Sequence, residues 1–258
     1  MRKKHDIKYK ENNSQFMIPK IIHYCWFGGK PLPASAKKCI DSWKRFFPQY
    51  IIKQCDESNF DVNSIPYTKE AYERGKYAFV SDYARFVVIA KEGGIYFDTD
   101  VEVIKDMSDI IEKGPFMGAE KTFTISPGLG IAAEKDHPLY REILDYYAQL
   151  HFVDEQGNQL PGTVGAHTTR VLKRYGYVVN DKVECVEGIF MYPNEYFNPL
   201  DDATGKLCIT DNTRTIHWYS KTWCDNYGPV RAFITRRIHR YFGINSLSWL
   251  KKILRLKD

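Results

Sequence analysis

From Met17 onward, apolar positions fall into short strand-like runs separated by longer stretches with helical spacing. "MIPKIIHYCWFGG" reads as a buried strand running into a Gly-Gly turn. "PASAKKCIDSWKRFFP" then places Ala36, Cys39, Ile40, Trp43, Phe46 and Phe47 on one helical face, and Pro48 stops it. "YIIKQCD" predicts a second strand, and "YAFVSDYARFVVIAKEGG" a second helix closed by Gly93 and Gly94 as C-cap glycines. "GGIYFDTDVEV" follows at once as a third strand. Strand, helix, strand, helix, strand predicts an α/β domain with a mainly parallel central sheet and flanking helices.

Further along, "FTISPGLGIAAE" predicts a strand around a Pro-Gly turn and "HPLYREILDYYAQLH" a helix, and residues 185–223 hold short β-like runs and turns. The two ends differ from this middle. Residues 1–16 are polar and charged and are expected to be a flexible extension. Residues 17–228 form the domain. Residues 229–258 carry "FITRRIHRYF" and "LSWLKKILRL", apolar and basic residues at helical spacing, which predict a basic amphipathic helical tail. Two readings of that tail stay open: attachment to an anionic membrane surface, or packing on the domain with solvated basic faces.

Composition sharpens this picture in three places. A chain of 258 residues, 43% hydrophobic, can bury one large core, and 18 Tyr, 15 Phe and 5 Trp suit either that core or stacking on ring-shaped ligands. The net charge of +5 is uneven: from Arg231 onward eight Lys/Arg stand against Asp258 alone, so the remainder is slightly acidic and no nucleic-acid groove is expected. The six cysteines show no metal spacing, and the charged N-terminus shows no signal peptide. The expectation is therefore a cytoplasmic protein with reduced thiols. No run approaches the roughly 18 apolar residues of a membrane span.

The candidate chemistry centres on Asp98 and Asp100. In a strand, residues two apart share a side, so both carboxylates and Tyr96 should face one spot near a strand end, where α/β sheets bind ligands. Such hard oxygen ligands select Mn²⁺ or Mg²⁺ over zinc. Two solvated acids at a strand end would show the same pattern. Asp82 and Arg85, three apart on the preceding helix, share a face and can pair.

"SDYARFVVIAKEGGIYFDTD", "IPKIIHYCWFGGKPLP" and "MYPNEYFNPLDDATGKLCITDNTRTIHWYSKTW" together resemble the DXD-containing sugar transferases of glycosyltransferase family 32, which include fungal mannosyltransferases and bacterial capsular polysaccharide transferases. They are more distantly similar to the glucosylating domains of large bacterial toxins. The resemblance runs from about Ile18 to Trp223. It implies a GT-A type, Rossmann-like catalytic domain over 17–228 and a nucleotide-sugar donor, UDP-linked foremost. It also implies a divalent cation and transfer with retention to a glycan or lipid-linked acceptor. By position, Trp26 is expected on the nucleobase, Asp82 and Arg85 on the donor sugar, and Tyr96 along the nucleotide. Asp98 is expected on the ribose or the metal shell, and Asp100 on the metal. His217 is a candidate metal or diphosphate ligand, Lys221 a counter-charge and Trp223 a cover for the diphosphate. Relatives commonly show a second histidine where this chain has Trp218, which leaves the metal role of His217 open.

Gly128 and Glu134 are weaker donor or acceptor candidates, and a plain turn suits Gly128. His167 lies near a helix start, where capping or packing competes with acceptor binding, and His23 reads as structural. Absence of an anchor separates the chain from Golgi relatives and suits a bacterial enzyme of capsular polysaccharide or lipopolysaccharide synthesis, peripheral on the inner face of the plasma membrane. Two rivals stand beside this reading. One is a catalytically impaired sugar-nucleotide or glycan binder. The other is a haloacid-dehalogenase-type phosphatase with Asp98 as nucleophile, whose motif normally lies on the first strand.

Overall fold

The structure is a computed structural model and describes residues 17–122, 124–178, 180–220 and 229–243, with side chains from residue 234 in the last segment. Its elements run β1 (Ile21–Cys25), α1 (Ala34–Phe46), β2 (Ile51–Cys55), α2 (Pro66–Glu73), α3 (Tyr77–Glu92), β3 (Gly94–Tyr96), β4 (Val101–Val103), α4 (Ser108–Lys113) and β5 (Phe116–Gly118). They continue with β6 (Ile131–Ala133), α5 (Pro138–Tyr147), α6 (Val164–Lys173), β7 (Glu184–Val186), β8 (Ile189–Tyr192), α7 (Asn194–Phe197), β9 (Thr215–His217) and α8 (Pro229–Phe242).

Seven strands form one sheet in the order β2-β1-β3-β6-β5-β8-β7, and β4 pairs with β9 in a separate ribbon. The expectation of an α/β domain with a mainly parallel sheet holds: β2, β1, β3, β5 and β8 point one way, and β6 and β7 run against them. β1 runs parallel to β2 and β3, and β5 to β8, whereas β3–β6, β5–β6 and β7–β8 are antiparallel. Strand-helix alternation fixes direction only while each crossover carries a helix; β5 joins β6, and β7 joins β8, without one, which leaves antiparallel pairing open for β6 and β7.

The central strands feed two cores. Ile95, Phe97, Phe116 and Ala132 pack with Ile40 and Trp43 of α1 and Phe197 of α7 on one face. Tyr96, Met117, Ile131 and Ala133 pack with Phe86 and Ile89 of α3, Tyr140 and Tyr147 of α5 and Leu172 of α6 on the other. The period-2 alternation of the strands thus produces a three-layer sandwich.

The expected third strand is two strands. β3 stops at Tyr96, residues 97–100 turn with Val101 N–H bonding Asp98 C=O at 3.0 Å, and β4 leaves for the second ribbon. Asp-Thr-Asp is turn chemistry, and carboxylates buried in a paired strand would lack partners. The ribbon is held against α1: the Trp43 indole N–H donates to Val101 C=O at 2.8 Å, and the Ser42 hydroxyl accepts from Val103 N–H at 2.9 Å.

The flexible extension expected at 1–16 and the second tail segment, "LSWLKKILRL", lie outside the described residues. "FITRRIHRYF" falls within α8. The five cysteines among the described residues, Cys25, Cys39, Cys55, Cys185 and Cys208, are free thiols. Among the described residues no helix is long and apolar enough to cross a membrane.

Candidate active site

The approach of "SDYAR" to "FDTD" follows from one tight corner. Gly93 closes α3 at φ 68° and Gly94 opens β3 at φ 106°, so the helix and the strand run antiparallel. A side chain at Gly94 would put its Cβ 2.6 Å from Ile21 C=O. From Gly93 back to Arg85 the helix rises about 12 Å. From Gly94 forward to Asp98 the extended chain advances about 13 Å. The matched lengths bring the two residues level, and Arg85 Nη2 lies 3.3 Å from Asp98 Oδ1 and 3.0 Å from Asp82 Oδ1.

Arg85 is almost wholly buried, at 3% exposure, and its Nε–H donates to Ser81 C=O at 3.0 Å. Its guanidinium also lies over the Tyr96 ring, 5.1 Å from the centroid, and the Tyr96 hydroxyl donates to Asp98 Oδ1 at 2.7 Å. Burial lowers the guanidinium's proton affinity, but Asp98, Tyr96 and Asp82 more than reverse this, so Arg85 stays charged. Burial dominates at Asp82: against the pull of Arg85 and with Asp98 nearby, its carboxyl is pushed up to about 7.

Asp100 is held from the far end of the chain. β9 pairs antiparallel with β4, with His217 opposite Val101, and Trp218 N–H extends the ladder to Asp100 C=O at 2.9 Å. His217 Nε2 lies 3.1 Å from Asp100 Oδ1. Tyr219 turns the backbone to φ 50°, which lets Ser220 give both its N–H, at 2.8 Å, and its hydroxyl, at 3.0 Å, to Asp100 Oδ2. Burial alone would raise the Asp100 carboxyl, but His217 and Ser220 hold it well below the usual carboxylate range. His217 rises in turn: burial opposes its charge, and Asp100 outweighs burial.

Asp98, Asp100 and His217 each offer a ligand atom, and these atoms lie within 4.8 Å of one another. Among the described residues the buried Nδ1 of His217 has no hydrogen-bond partner. Two carboxylates and an imidazole fit a divalent cation, with hard oxygens for Mg²⁺ or Mn²⁺ and a nitrogen that Mn²⁺ accepts more readily than Mg²⁺ does. Trp26 stands one residue past β1; the β1–β3 register puts it at the same sheet edge as Asp98, half-buried, its indole N–H bonded to Lys30 C=O at 2.5 Å.

Residues 33–117, the span that holds Asp82, Arg85, Asp98 and Asp100, match the family model of the glycosyltransferase sugar-binding region containing the DXD motif. An uncharacterized glycosyltransferase of Acanthamoeba polyphaga mimivirus is 29% identical over 205 residues, 74% of this chain and 77% of that protein. The chain is similar to glycosyltransferases of the DXD type. Among solved structures it is similar to the PaToxG glycosyltransferase, with TM-score 0.46, 21% identity, and 61% of this chain against 68% of that one. It is also similar to the galactosyltransferase LgtC in complex with donor and acceptor sugar analogs, with TM-score 0.42, 12% identity, and 84% against 95%.

The other candidates fall in and out of the site. Gly128 is no plain turn glycine: its C=O accepts from Asp98 N–H at 2.9 Å, and a Cβ there would lie 2.0 Å from Asp98 Oδ2. Glu134 is at the opposite end of the sheet, since β6 runs antiparallel to β3 with Ala133 beside Gly94. His167 packs among Tyr67, Tyr146 and Tyr147, with the Tyr146 hydroxyl 3.1 Å from its Nδ1. His23 is buried, its Nε2 2.9 Å from Gly93 C=O. Lys221 and Trp223 lie outside the described residues.

Trp218 points to the face of the ribbon opposite His217, its indole N–H donating to Glu102 at 2.8 Å and Lys38 lying over its ring. A histidine there would therefore add no ligand beside His217. Ser220 was not foreseen, and nothing in the sequence marks it, because its two bonds to Asp100 depend on the left-handed turn at Tyr219. The phosphatase reading loses its nucleophile, because Asp98 is ion-paired with Arg85 and bonded by Tyr96.

Proposed function

We propose that this protein is a metal-dependent, retaining hexosyltransferase of the GT-A type. It moves a hexose from a nucleotide sugar, a UDP-sugar foremost, to a glycan or lipid-linked oligosaccharide during bacterial surface polysaccharide synthesis at the inner face of the plasma membrane. The observation that supports this reading best is the convergence of Asp98, Asp100 and His217 beside the buried Asp82–Arg85 pair. Asp98, Asp100 and His217 would hold a Mn²⁺ or Mg²⁺ ion, which would supply positive charge against the departing diphosphate, worth on the order of several kcal/mol.

The chain's own groups do the positioning. Arg85 and the Tyr96 hydroxyl lock Asp98, Ser220 locks Asp100, and neither carboxylate has to reorganise when the donor arrives. Asp82 takes sugar hydroxyls and Trp26 offers a flat face to the base. Lys221 and Trp223 are assigned to the diphosphate. The sugar–phosphate bond breaks, the acceptor oxygen bonds the anomeric carbon from the same face, and the acceptor's proton passes to the leaving diphosphate. No covalent nucleophile is invoked.

A panel of nucleotide sugars with and without Mn²⁺ tests the reading, with released nucleotide and thermal shift as readouts. Metal-dependent release from one preferred donor, together with a calorimetric Mn²⁺ signal in the absence of donor, is expected. Release that ignores metal, or a product of inverted configuration by NMR, overturns it.

A further inference from the structure

Helix α8 shows its faces in the reverse of the usual order. Three of its basic side chains, Arg236, His239 and Arg240, reach into the protein, while Arg237 is exposed. Arg236 pairs with Asp202 at 2.9 Å and its Nε–H donates to the Asp202 carbonyl at 3.1 Å. His239 Nδ1 meets Ala203 C=O at 3.1 Å, and Arg240 donates to Thr204 C=O at 3.1 Å and Gly205 C=O at 2.5 Å. At about 100° per residue, Ile234, Ile238, Tyr241 and Phe242 fall on the opposite side. Ile234 is 52% exposed, Tyr241 73% and Phe242 77%. A surface helix normally buries its apolar stripe and solvates its charges. Here one strap, residues 202–205, supplies a carboxylate and carbonyl oxygens that capture the basic face and turn the apolar one outward.

We propose that this outward face docks on an anionic lipid bilayer, with α8 lying in the interface plane. Isoleucines flanked by a tyrosine and a phenylalanine suit the boundary between headgroups and acyl chains. The charge is complementary: besides Arg236 and Arg240, which the strap holds, six Lys/Arg from Arg231 onward oppose a single acid, while the rest of the chain is slightly acidic. The sequence after α8, "LSWLKKILRLKD", repeats the same apolar and basic alternation. A second copy of the chain would bring an equally basic tail against this one, so like charge opposes self-association.

The same strap leads to the metal ligands. Asn198, four residues before Asp202, donates to the Tyr219 hydroxyl at 2.5 Å, and the Tyr219 ring packs against His217, centroids 4.2 Å apart and planes tilted by 51°. A docked α8 therefore fixes the distance of the candidate active site from the membrane. Docking itself stands without the transferase reading; its use in meeting a lipid-linked acceptor rests on that reading.

The test uses the full chain with vesicles of phosphatidylcholine alone or mixed equally with phosphatidylglycerol. Flotation with the mixed vesicles only is expected, with slowed hydrogen exchange across 234–242. The triple substitution Ile234→Glu, Tyr241→Glu, Phe242→Glu should weaken partitioning roughly tenfold or more, with donor hydrolysis and Tm unchanged. Unaltered exchange in 234–242 on the mixed vesicles overturns the proposal without any variant. So does parental partitioning by the triple variant, or a dimer in sedimentation that the triple variant dissolves. Vesicle binding without donor hydrolysis would sink the transferase mechanism and leave the docking intact.

Discussion

The candidate metal centre joins two halves of different origin. Asp82, Arg85, Tyr96 and Asp98 lie close together in sequence and meet because a helix and a strand of matched length share a Gly-Gly corner. Asp100 is held by His217 and Ser220, the latter 120 residues away, through a two-stranded ribbon and a left-handed Tyr219. The first half is a buried Asp82–Arg85 pair, the Arg85 side chain 4% exposed, joined by an Asp98 that is 30% exposed. The second is a carboxylate caged by hydrogen bonds. A buried pair fails by leaving charge unpaired, whereas a caged ligand fails by losing its ion. Damage to the near half should therefore register first in stability, and damage to the far half first in metal binding and rate.

The largest effect is expected at the far half. Asp100→Ala should cut Mn²⁺-dependent nucleotide release by a factor on the order of a hundred to a thousand and erase the calorimetric Mn²⁺ signal. Release at the parental rate would remove Asp100 from the site. Arg85→Met should cost about 3–5 kcal/mol in chemical denaturation, because Asp82 and Asp98 lose their shared partner. A parental midpoint for that variant would collapse the contrast between the halves. His217→Ala should weaken Mn²⁺ roughly tenfold or more by titration, at little cost in Tm.

Smaller effects sharpen the comparison. Gly128→Ala should displace Asp98 and lower Mn²⁺ affinity severalfold for about 1–3 kcal/mol of overpacking, since its Cβ would lie 2.0 Å from Asp98 Oδ2. An unchanged affinity would show that the loop gives way instead. The subtlest prediction concerns pH. The Asp82 carboxyl is raised to about 7 when folded, so the folded state holds the proton more tightly than the unfolded chain. Its stabilising contribution is full below about pH 4 and falls as pH rises to about 7. The Tm advantage of the parent over Asp82→Asn should therefore shrink between about pH 5 and pH 8; a constant gap would mean that Asp82 titrates normally.

Legibility follows the same division. Helix α3 and its Gly-Gly end, the pairing of Asp82 with Arg85, and their nearness to Asp98 could be read from spacing, because local geometry alone sets them. The break at residues 97–100 could not, because an alternating pattern does not show where a strand's partner ends. Gly128 looked like a turn, since the carboxylate lying over it belongs to another loop.

What the sequence alone determined was the strand–helix alternation that leads into α3, the helix-to-DXD adjacency and the mixed apolar and basic pattern of α8. These rest on periodicity and on contacts a few residues apart. Tertiary structure decided the two reversed strands, β6 and β7, the approach of His217 and Ser220 to Asp100, and the face that α8 turns outward. Each of those depends on backbone groups distant in the chain, above all the carbonyls of residues 202–205, and backbone carbonyls are the same in every sequence.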